Sequence, residues 1–392
     1  MQDLPPETGG GYTFEQDVLQ ALLRNRANSS HTFVILCHRD TAEWIANNVV
    51  APVEIELLPK AGRFSRLRDA ALRSVQSLRA VLEGASPLDR VAHRAKLDFI
   101  WFAGSGVNFT NVPYLTVVWD LQHRSLPWFP EFSAKGVWDR REMSLWFLQR
   151  ASAVVAGTQV GRDELVQWVG VPQDRILILP HPTPDFARAP SAGFPSLPAS
   201  LAVRRPFLFY PAQFWPHKNH VNLILGFSKA VKEHGLDLDL VLCGADKGNR
   251  AHIQRLIAAE GLQDRVHMLG FVSRDELIGL YRQALALAYL SWGGPENLPP
   301  LEAFALGCPV IAAQVPGADE QLGKAALLVA PGDPAQISDA IVRLHASPKL
   351  RGELTMLGRL RALRSSGDDY VRGVFKFLDR FESTSRCWGR RA

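Results

Sequence analysis

A loop rich in glycine and proline, followed by a helix pattern, is the most specific stretch of this sequence. Residues 289–311 read YLSWGGPENLPPLEAFALGCPVI, and an apolar strand pattern ends at Ser291. Asn297 can cap the helix that follows, proline is favoured in its first turn, and Gly307 ends it. Because a helix N-terminus offers free backbone N–H groups, the spacing predicts an anion site, best suited to phosphate, beside Asn297 and Leu298.

Two charged side chains lie close to predicted helix starts. Glu302 falls within the first turns of the helix just described, where a carboxylate can accept two hydrogen bonds from vicinal hydroxyls such as those of a ribose. Lys218 stands in the run QFWPHKNH, residues 213–220, between a strand end and another helix start. An ammonium group there can neutralise charge on a leaving diphosphate, and the alternative is an exposed lysine without that role. His217 is either a phosphate donor or a surface histidine.

A third polar stretch follows the predicted strand at residues 114–118. It contains Asp120 and His123 within WDLQHRSLP, residues 119–127. A histidine at this position can orient or deprotonate an acceptor hydroxyl. The alternative interpretation, at even odds, is a structural histidine in a loop.

Three consecutive glycines, Gly9, Gly10 and Gly11, stand close to the start of the chain. Glycine lets a backbone approach a ligand closely, so this segment is a candidate ligand-binding loop. The preceding MQDLPPET cannot form a buried strand. Either the strand that normally precedes such a loop is absent from this chain, or the start is truncated.

Alternating strand and helix patterns predict an α/β protein with parallel sheets covered by helices. Four prolines between residues 183 and 205 indicate a linker. The predicted division is an N-terminal domain at 1–182, a linker at 183–205, a C-terminal domain at 206–365, and a C-terminal helix and tail at 366–392. Two doubly wound domains would face each other across a cleft, and such sheets bind ligands at the carboxyl ends of their strands.

The composition excludes two classes of protein. Of 392 residues, 47% are hydrophobic and 21% charged, which argues against a disordered chain. No apolar run approaches the roughly 18 residues of a membrane span. The four cysteines are scattered without a CxxC pair, so neither a zinc site nor a disulfide framework is predicted, and a reducing cytosol fits. The first residues do not resemble a signal peptide, and we expect a cytoplasmic protein.

Residues 60–96 carry nine basic and three acidic residues beside an apolar stripe at helical spacing. One interpretation is a peripheral contact with anionic lipid at the inner face of the plasma membrane. The other, which we favour, is a core-packed helix with a solvated basic face. No nucleic-acid-binding motif accompanies the charge, so a nucleic-acid partner is not predicted.

The run NLPPLEAFALGCPVI resembles the signature of the retaining glycosyltransferases of family 4, the group 1 glycosyltransferases, and is similar to bacterial mannosyltransferases. The resemblance implies the two-domain GT-B fold, with a nucleoside diphosphate sugar on the C-terminal domain and the acceptor on the N-terminal one. Gly270–Ser273, which includes Val272, resembles the segment beneath the nucleobase.

Carried over to this sequence, the resemblance implies a role for each candidate residue. Lys218 matches the lysine that grips the diphosphate, and Gln213 takes the place of the usual arginine. Glu302 matches the ribose-binding glutamate. The remaining implied contacts are Gly10, Gly11, Asn297 and Leu298 near the donor phosphates, and Asp120 with His123 near the acceptor.

The most important departure from the family lies at one position. The family usually carries two glutamates separated by seven residues, and the first would fall at Gly294. The nearest carboxylate is Glu296. Either Glu296 takes the catalytic role from a reshaped loop, or no carboxylate is needed there.

The resemblance implies a retaining hexosyltransferase that needs no metal and no cofactor. Its donor would be a nucleoside diphosphate sugar such as GDP-mannose, and its acceptor a hydroxyl of a glycan or lipid-linked glycan. A catalytically degenerate nucleotide- or glycan-binding subunit is the alternative, and a sugar-nucleotide epimerase is a third hypothesis. The sequence leaves the sugar, the linkage, the acceptor and the oligomeric state open.

Overall fold

A computed structural model describes residues 9–48, 53–59, 86–106, 110–189, 197–199, 201 and 205–387. Most of the basic segment 60–96, and residues 1–8, lie outside this part of the chain. The elements before the predicted linker and within its first residues are, in chain order, α1 (Gly10–Asn25), β1 (Val34–Cys37), α2 (Arg39–Asn48), β2 (Glu54–Leu57), α3 (Pro87–Arg94), β3 (Ile100–Trp101), β4 (Tyr114–Val117), α4 (Gln122–Ser125), α5 (Pro130–Ser133), α6 (Val137–Arg150), β5 (Ala153–Ala156), α7 (Gln159–Glu164), β6 (Ile176–Ile178) and α8 (Asp185–Arg188).

After the linker, strands and helices alternate as predicted. They are β7 (Phe207–Pro211), α9 (His220–Lys232), β8 (Asp239–Cys243), α10 (Arg250–Ala259), β9 (Val266–Met268), α11 (Arg274–Gln283), β10 (Ala286–Tyr289), α12 (Leu298–Leu306), β11 (Val310–Ala313), α13 (Ala318–Leu322), β12 (Ala326–Val329), α14 (Pro334–Ala346), α15 (Pro348–Ala362) and α16 (Gly367–Ser385). Ser273 and Glu276 form a capping box at the start of α11, because both reciprocal hydrogen bonds are present.

The second half forms a six-stranded parallel sheet in the order β12-β11-β10-β7-β8-β9. This is the doubly wound arrangement, in which the chain starts in the centre, builds one side and then crosses to the other. Strands β8, β10 and β11 are buried along their whole length, as expected when helices cover both faces of a parallel sheet. The crossover point lies between β7 and β10, and the loops after these two strands therefore form the ligand-binding edge.

The first half contains a four-stranded parallel sheet, β3-β4-β5-β6, and a parallel pair, β1 with β2. Helix α1 precedes β1, and no strand precedes α1 within residues 9–48. The three glycines do not form a loop. Gly9 occupies the N-cap of α1 with φ 77°, and Gly10 and Gly11 form its first turn, so the predicted glycine loop was wrong in form.

Helix α16 returns to the first half and completes its core. Tyr370, Val374 and Phe375 pack with residues of α1 and of strands β4 and β5. The ring of Phe375 stacks on that of Phe33 at a centroid distance of 5.2 Å. The predicted C-terminal helix therefore exists, and it belongs to the core of the first half. Among the described residues, no helix combines the length and apolar character that crossing a membrane requires.

Candidate active site

The loops after β7 and β10 lie side by side at the crossover point of the second sheet. The first carries Lys218 and the second ends at Asn297, the N-cap of α12. Lys218 Nζ donates to Tyr289 Oη at 3.1 Å, and Tyr289 Oη donates to Asn297 Oδ1 at 2.8 Å. One hydrogen-bonded chain thus joins the lysine to the start of the helix. The sequence predicted the lysine and the helix start, but it gave no sign that Tyr289 connects them.

Asn297 occupies the predicted N-cap position but does not cap the helix with its side chain. Its side chain instead accepts from Tyr289 and donates to the carbonyl of Gly294 at 3.0 Å. Gln321 fixes the backbone of Asn297 by exchanging two hydrogen bonds with it, at 3.0 and 2.9 Å. The cap prediction was therefore correct in position and wrong in mechanism.

The N-terminus of α12 offers fewer donors than a typical helix start. Proline at positions 299 and 300 removes two of the first four backbone N–H groups, and Leu298 and Leu301 keep theirs. A second helix start lies against it, because Gly10 in the first turn of α1 is beside Leu298. A Cβ on Gly10 would be 3.5 Å from Leu298 Cδ1. The first turns of two helices from different halves of the chain are therefore in contact at this point.

Glu302 lies one turn into α12 and is buried. Tyr281 Oη donates to its Oε2 at 2.6 Å, and burial raises the pKa of the carboxyl to about 7. Asp17 of α1 is close enough to interact with it electrostatically, and burial and the nearby Asp185 raise the pKa of Asp17 to about 7 as well. The role of Glu302 in holding a ribose remains a prediction.

Gln213 and Val272 lie on the same half of the chain as Lys218. Gln213 Oε1 accepts from Trp215 Nε1 at 2.9 Å. Val272 packs partly buried against the core of the second half, and the neighbouring Phe271 is 67% exposed. Contacts of Gln213 with a diphosphate and of Val272 with a nucleobase remain predictions.

The backbone conformation and the close neighbours of position 294 favour a glycine there. Its φ is +105°, a conformation that residues with a side chain rarely adopt. A Cβ there would also lie 3.0 Å from Asn297 Oδ1 and 3.2 Å from Gln122 Nε2, a residue of the opposite half. A glutamate at this position would be strained, which explains the departure from the family pattern.

Glu296 faces the first half of the chain. His181 donates its backbone N–H to Oε1 at 3.0 Å, and the other oxygen lies 3.3 Å from His181 Nδ1. The side chain is 4% exposed and packs against Gly157. Burial raises the pKa of Glu296 to about 8 and lowers that of His181 to about 4, so both are uncharged at pH 7. In this arrangement Glu296 bridges the two halves. Its carboxylate contacts His181 and not the hydrogen-bonded series Lys218–Tyr289–Asn297.

The buried Glu296 makes stability dependent on pH. Burial raises the pKa of its carboxyl from the ordinary 4.5 to about 8 in the folded chain, so stability falls as the pH rises through this range. Glu296→Gln keeps an acceptor for His181 and cannot ionise. We expect urea unfolding between pH 5.5 and 9 to show a shallower loss of stability in the variant, by on the order of a few kcal/mol at pH 9. Parallel curves for the two proteins would contradict the assignment.

His123 and Asp120 lie inside the first half, after β4. His123 is 2% exposed, and its Nε2 is 2.9 Å from Glu142 Oε1, while its Nδ1 has no hydrogen-bond partner among the described residues. Burial and the nearby Arg141 lower the pKa of His123. Asp120 accepts from the backbone of Gln122 at 3.0 Å and from Arg141 at 3.2 Å. Their predicted contact with an acceptor remains a prediction.

The region that this site occupies matches a known family. Residues 198–360 match the family described as glycosyl transferases group 1. The sequence-based identification with group 1 glycosyltransferases is thereby confirmed.

Two curated relatives of this chain are O-antigen chain mannosyltransferases. The chain is 34% identical over 134 residues to "O-antigen chain mannosyltransferase RfbU" of Salmonella typhimurium, which covers 34% of this chain and 37% of that protein. It is 25% identical over 243 residues to "O-antigen chain mannosyltransferase B" of Escherichia coli, and the match covers 61% of this chain and 64% of that protein. The chain thus matches between about a third and just under two thirds of the length of these relatives.

Solved structures match nearly the whole chain. Anabaena Alr3699/HepE, solved in complex with UDP and glucose, has a TM-score of 0.70 at 17% identity and covers 96% of this chain and 98% of its own. A glycosyltransferase from Rickettsia africae has a TM-score of 0.65 at 15% identity, and the match covers 97% of this chain and 96% of the Rickettsia chain. At this identity the likeness concerns the fold, which is the predicted GT-B architecture of two Rossmann-like domains.

Proposed function

We propose that this protein is a retaining hexosyltransferase. It moves a sugar, with mannose as the preferred candidate, from a nucleoside diphosphate sugar to a hydroxyl of a glycan or lipid-linked acceptor. The observation that carries the proposal is the chain Lys218–Tyr289–Asn297 at the start of α12. It places a fixed cation beside two helix N-termini, in a region that matches the group 1 family.

The arrangement suits a leaving diphosphate. Negative charge grows on the phosphate oxygens as the glycosidic bond breaks, and preorganised positive groups stabilise that charge without reorganising. Lys218 supplies a full charge, and the starts of α1 and α12 supply partial ones. We propose that these groups act without a metal ion. A phosphate oxygen of the leaving group takes the acceptor proton on the same face of the sugar, which accounts for retention.

Relatives support the choice of donor and acceptor class. Two curated relatives are O-antigen chain mannosyltransferases, which favours GDP-mannose and a bacterial polysaccharide acceptor. The HepE structure holds UDP and glucose, so a UDP sugar is the second candidate. A peripheral contact with anionic lipid remains a proposal that rests on the basic composition of residues 60–96.

One observation favours a second candidate function. Gly294 stands where the family usually has a glutamate, and the carboxylate of Glu296 accepts a hydrogen bond from the backbone of His181. A protein that binds a nucleotide sugar without transferring the sugar would have the same features. Consumption of the donor in the presence of candidate acceptors separates the two.

A panel of GDP, UDP, dTDP and ADP in a thermal-unfolding experiment identifies the nucleotide. A ligand at about a hundredfold excess over its Kd adds roughly 2.7 kcal/mol of stability. We expect one nucleotide to raise the Tm clearly above the other three, and that nucleotide then selects the donor sugars for turnover assays. If all four leave the Tm unchanged, the proposed donor site is wrong.

A further inference from the structure

A carboxylate of the first half holds the loop that carries Lys218. Glu131 lies in α5, which follows Asp120 and His123 in the chain. Its Oε1 accepts two hydrogen bonds from His217, a residue of the second half. The donors are the backbone N–H of His217 at 2.8 Å and His217 Nδ1 at 2.6 Å. The Glu131 side chain is 5% exposed and that of His217 is 9% exposed. This pair therefore forms a buried polar contact between the two halves.

The protonation states of the pair are set by their surroundings. Burial alone would raise the pKa of Glu131, but its two bonds from His217 outweigh burial and lower it. Burial and the neighbouring Lys218 lower the pKa of His217, although Glu131 acts in the opposite direction. At pH 7 Glu131 is ionised, so it can only accept, and Nδ1 of the neutral His217 must carry the proton.

Aromatic packing fixes the same contact from the side. The ring of Phe132, the next residue in α5, has its centroid 4.8 Å from that of His217. The ring centroid of Phe129 lies 6.3 Å from that of His217 and 6.5 Å from that of Trp292, which follows β10. The carbonyl of His217 accepts from the backbone N–H of Trp292 at 2.9 Å. The loops after β7 and β10 are thus tied to each other and to α5 at the residue directly before Lys218.

We propose that Glu131 is a positioning residue, which holds the Lys218 loop in its donor-binding geometry across the contact between the two halves. The inference rests on the proposed function, because it states how the same donor site is assembled. If the contact orders the loop, then a nucleotide that needs the ordered loop binds more weakly when the contact is lost.

A second contact between the halves provides a matched control. Both carboxylate oxygens of Glu320 accept from the backbone N–H of Gln159, at 2.7 and 2.9 Å. Among the residues that the structure describes, the Glu320 carboxylate has no hydrogen bond or ion pair with the Lys218 loop. Glu131→Ala and Glu320→Ala therefore each remove one carboxylate bridge between the halves, but only the first removes a bond to that loop.

The first readout is the affinity of GDP and UDP, measured by calorimetry. We expect Glu131→Ala to weaken binding of the preferred nucleotide about tenfold, the effect of losing charge-assisted hydrogen bonds, while Glu320→Ala changes it less than twofold. Glu131→Gln keeps an acceptor and should recover part of the loss. His217→Ala should weaken binding, and adding it to Glu131→Ala should cause little further loss, because the two act as a unit. Equal losses in the two carboxylate variants would overturn the proposal.

The second readout needs no nucleotide. Amide hydrogen exchange of the free protein should be faster at His217 and Lys218 in Glu131→Ala than in the unchanged protein, and unaltered there in Glu320→Ala. Unchanged exchange at both residues would overturn the inference whatever the nucleotide does. If the unchanged protein binds neither GDP nor UDP but the exchange result holds, the donor assignment fails, and the positioning of the loop by Glu131 is upheld.

Discussion

Replacing Lys218 by alanine should remove most of the activity of the protein. Removing one preorganised group that stabilises developing negative charge typically costs about 10²–10³ in kcat. Lys218 is expected to fall in this range because its ammonium is held by Tyr289 beside the start of α12. The measurement is turnover of the donor sugar selected by the nucleotide panel, together with the affinity of the free nucleotide.

Lys229→Ala is the matched control for this prediction. Lys229 lies in α9, the helix that follows the Lys218 loop, and forms an exposed ion pair with Glu233 four residues later. Such a surface pair contributes about 0.3–0.5 kcal/mol and should leave turnover unchanged. Normal turnover in Lys218→Ala would show that the leaving diphosphate is stabilised elsewhere, and the proposed mechanism would then be wrong.

Gly157→Ala should disrupt the contact between the two halves. Gly157 follows β5, and a Cβ there would lie 1.2 Å from Glu296 Oε2 and 2.3 Å from Glu296 Cδ. The Glu296 side chain is almost fully buried, so it cannot move aside without breaking its contact with His181. Overpacking of this kind costs about 1–3 kcal/mol, which urea unfolding would detect.

Two further variants test the cause of that loss. In a Glu296→Ala background, Gly157→Ala should cost little, because the clashing atoms are absent, and the double-mutant cycle measures this coupling. Gly352→Ala is the control for the substitution itself, since nothing lies within 4 Å of a Cβ on this exposed residue of α15. That change should stabilise the helix by about 0.5–1 kcal/mol. An equal loss from Gly157→Ala in both backgrounds would contradict the steric explanation.

The strands and helices of the second half could be predicted because their signals are local. Apolar runs such as Asp239–Cys243 and Val310–Ala313 are bounded by turn residues, and both strands have these bounds in the structure. The triple glycine misled the prediction for an equally local reason. Glycine suits a loop, but the apolar face of residues 14–21 packs against α16, and this distant contact extends the helix back to Gly10.

The candidate site shows where sequence reasoning ends. Lys218 and Glu302 could be predicted as candidate site residues because each stands close to a helix start. The partners of Glu296 could not be found, because His181 and Gly157 belong to the other half and lie more than a hundred residues away in the chain. Glu131 was missed for the same reason, since nothing near it in sequence indicates His217 as its partner.

The position of α16 has a consequence for how this protein is made. Helix α1 and strands β4 and β5 are synthesised early, but Val374 and Phe375, which pack on them, are translated only after the whole sheet of the second half. The second half has its own sheet and core, which lie almost entirely before residue 363. On a translating ribosome, the sheet of the later half is therefore complete before the helix that closes the core of the earlier half is made.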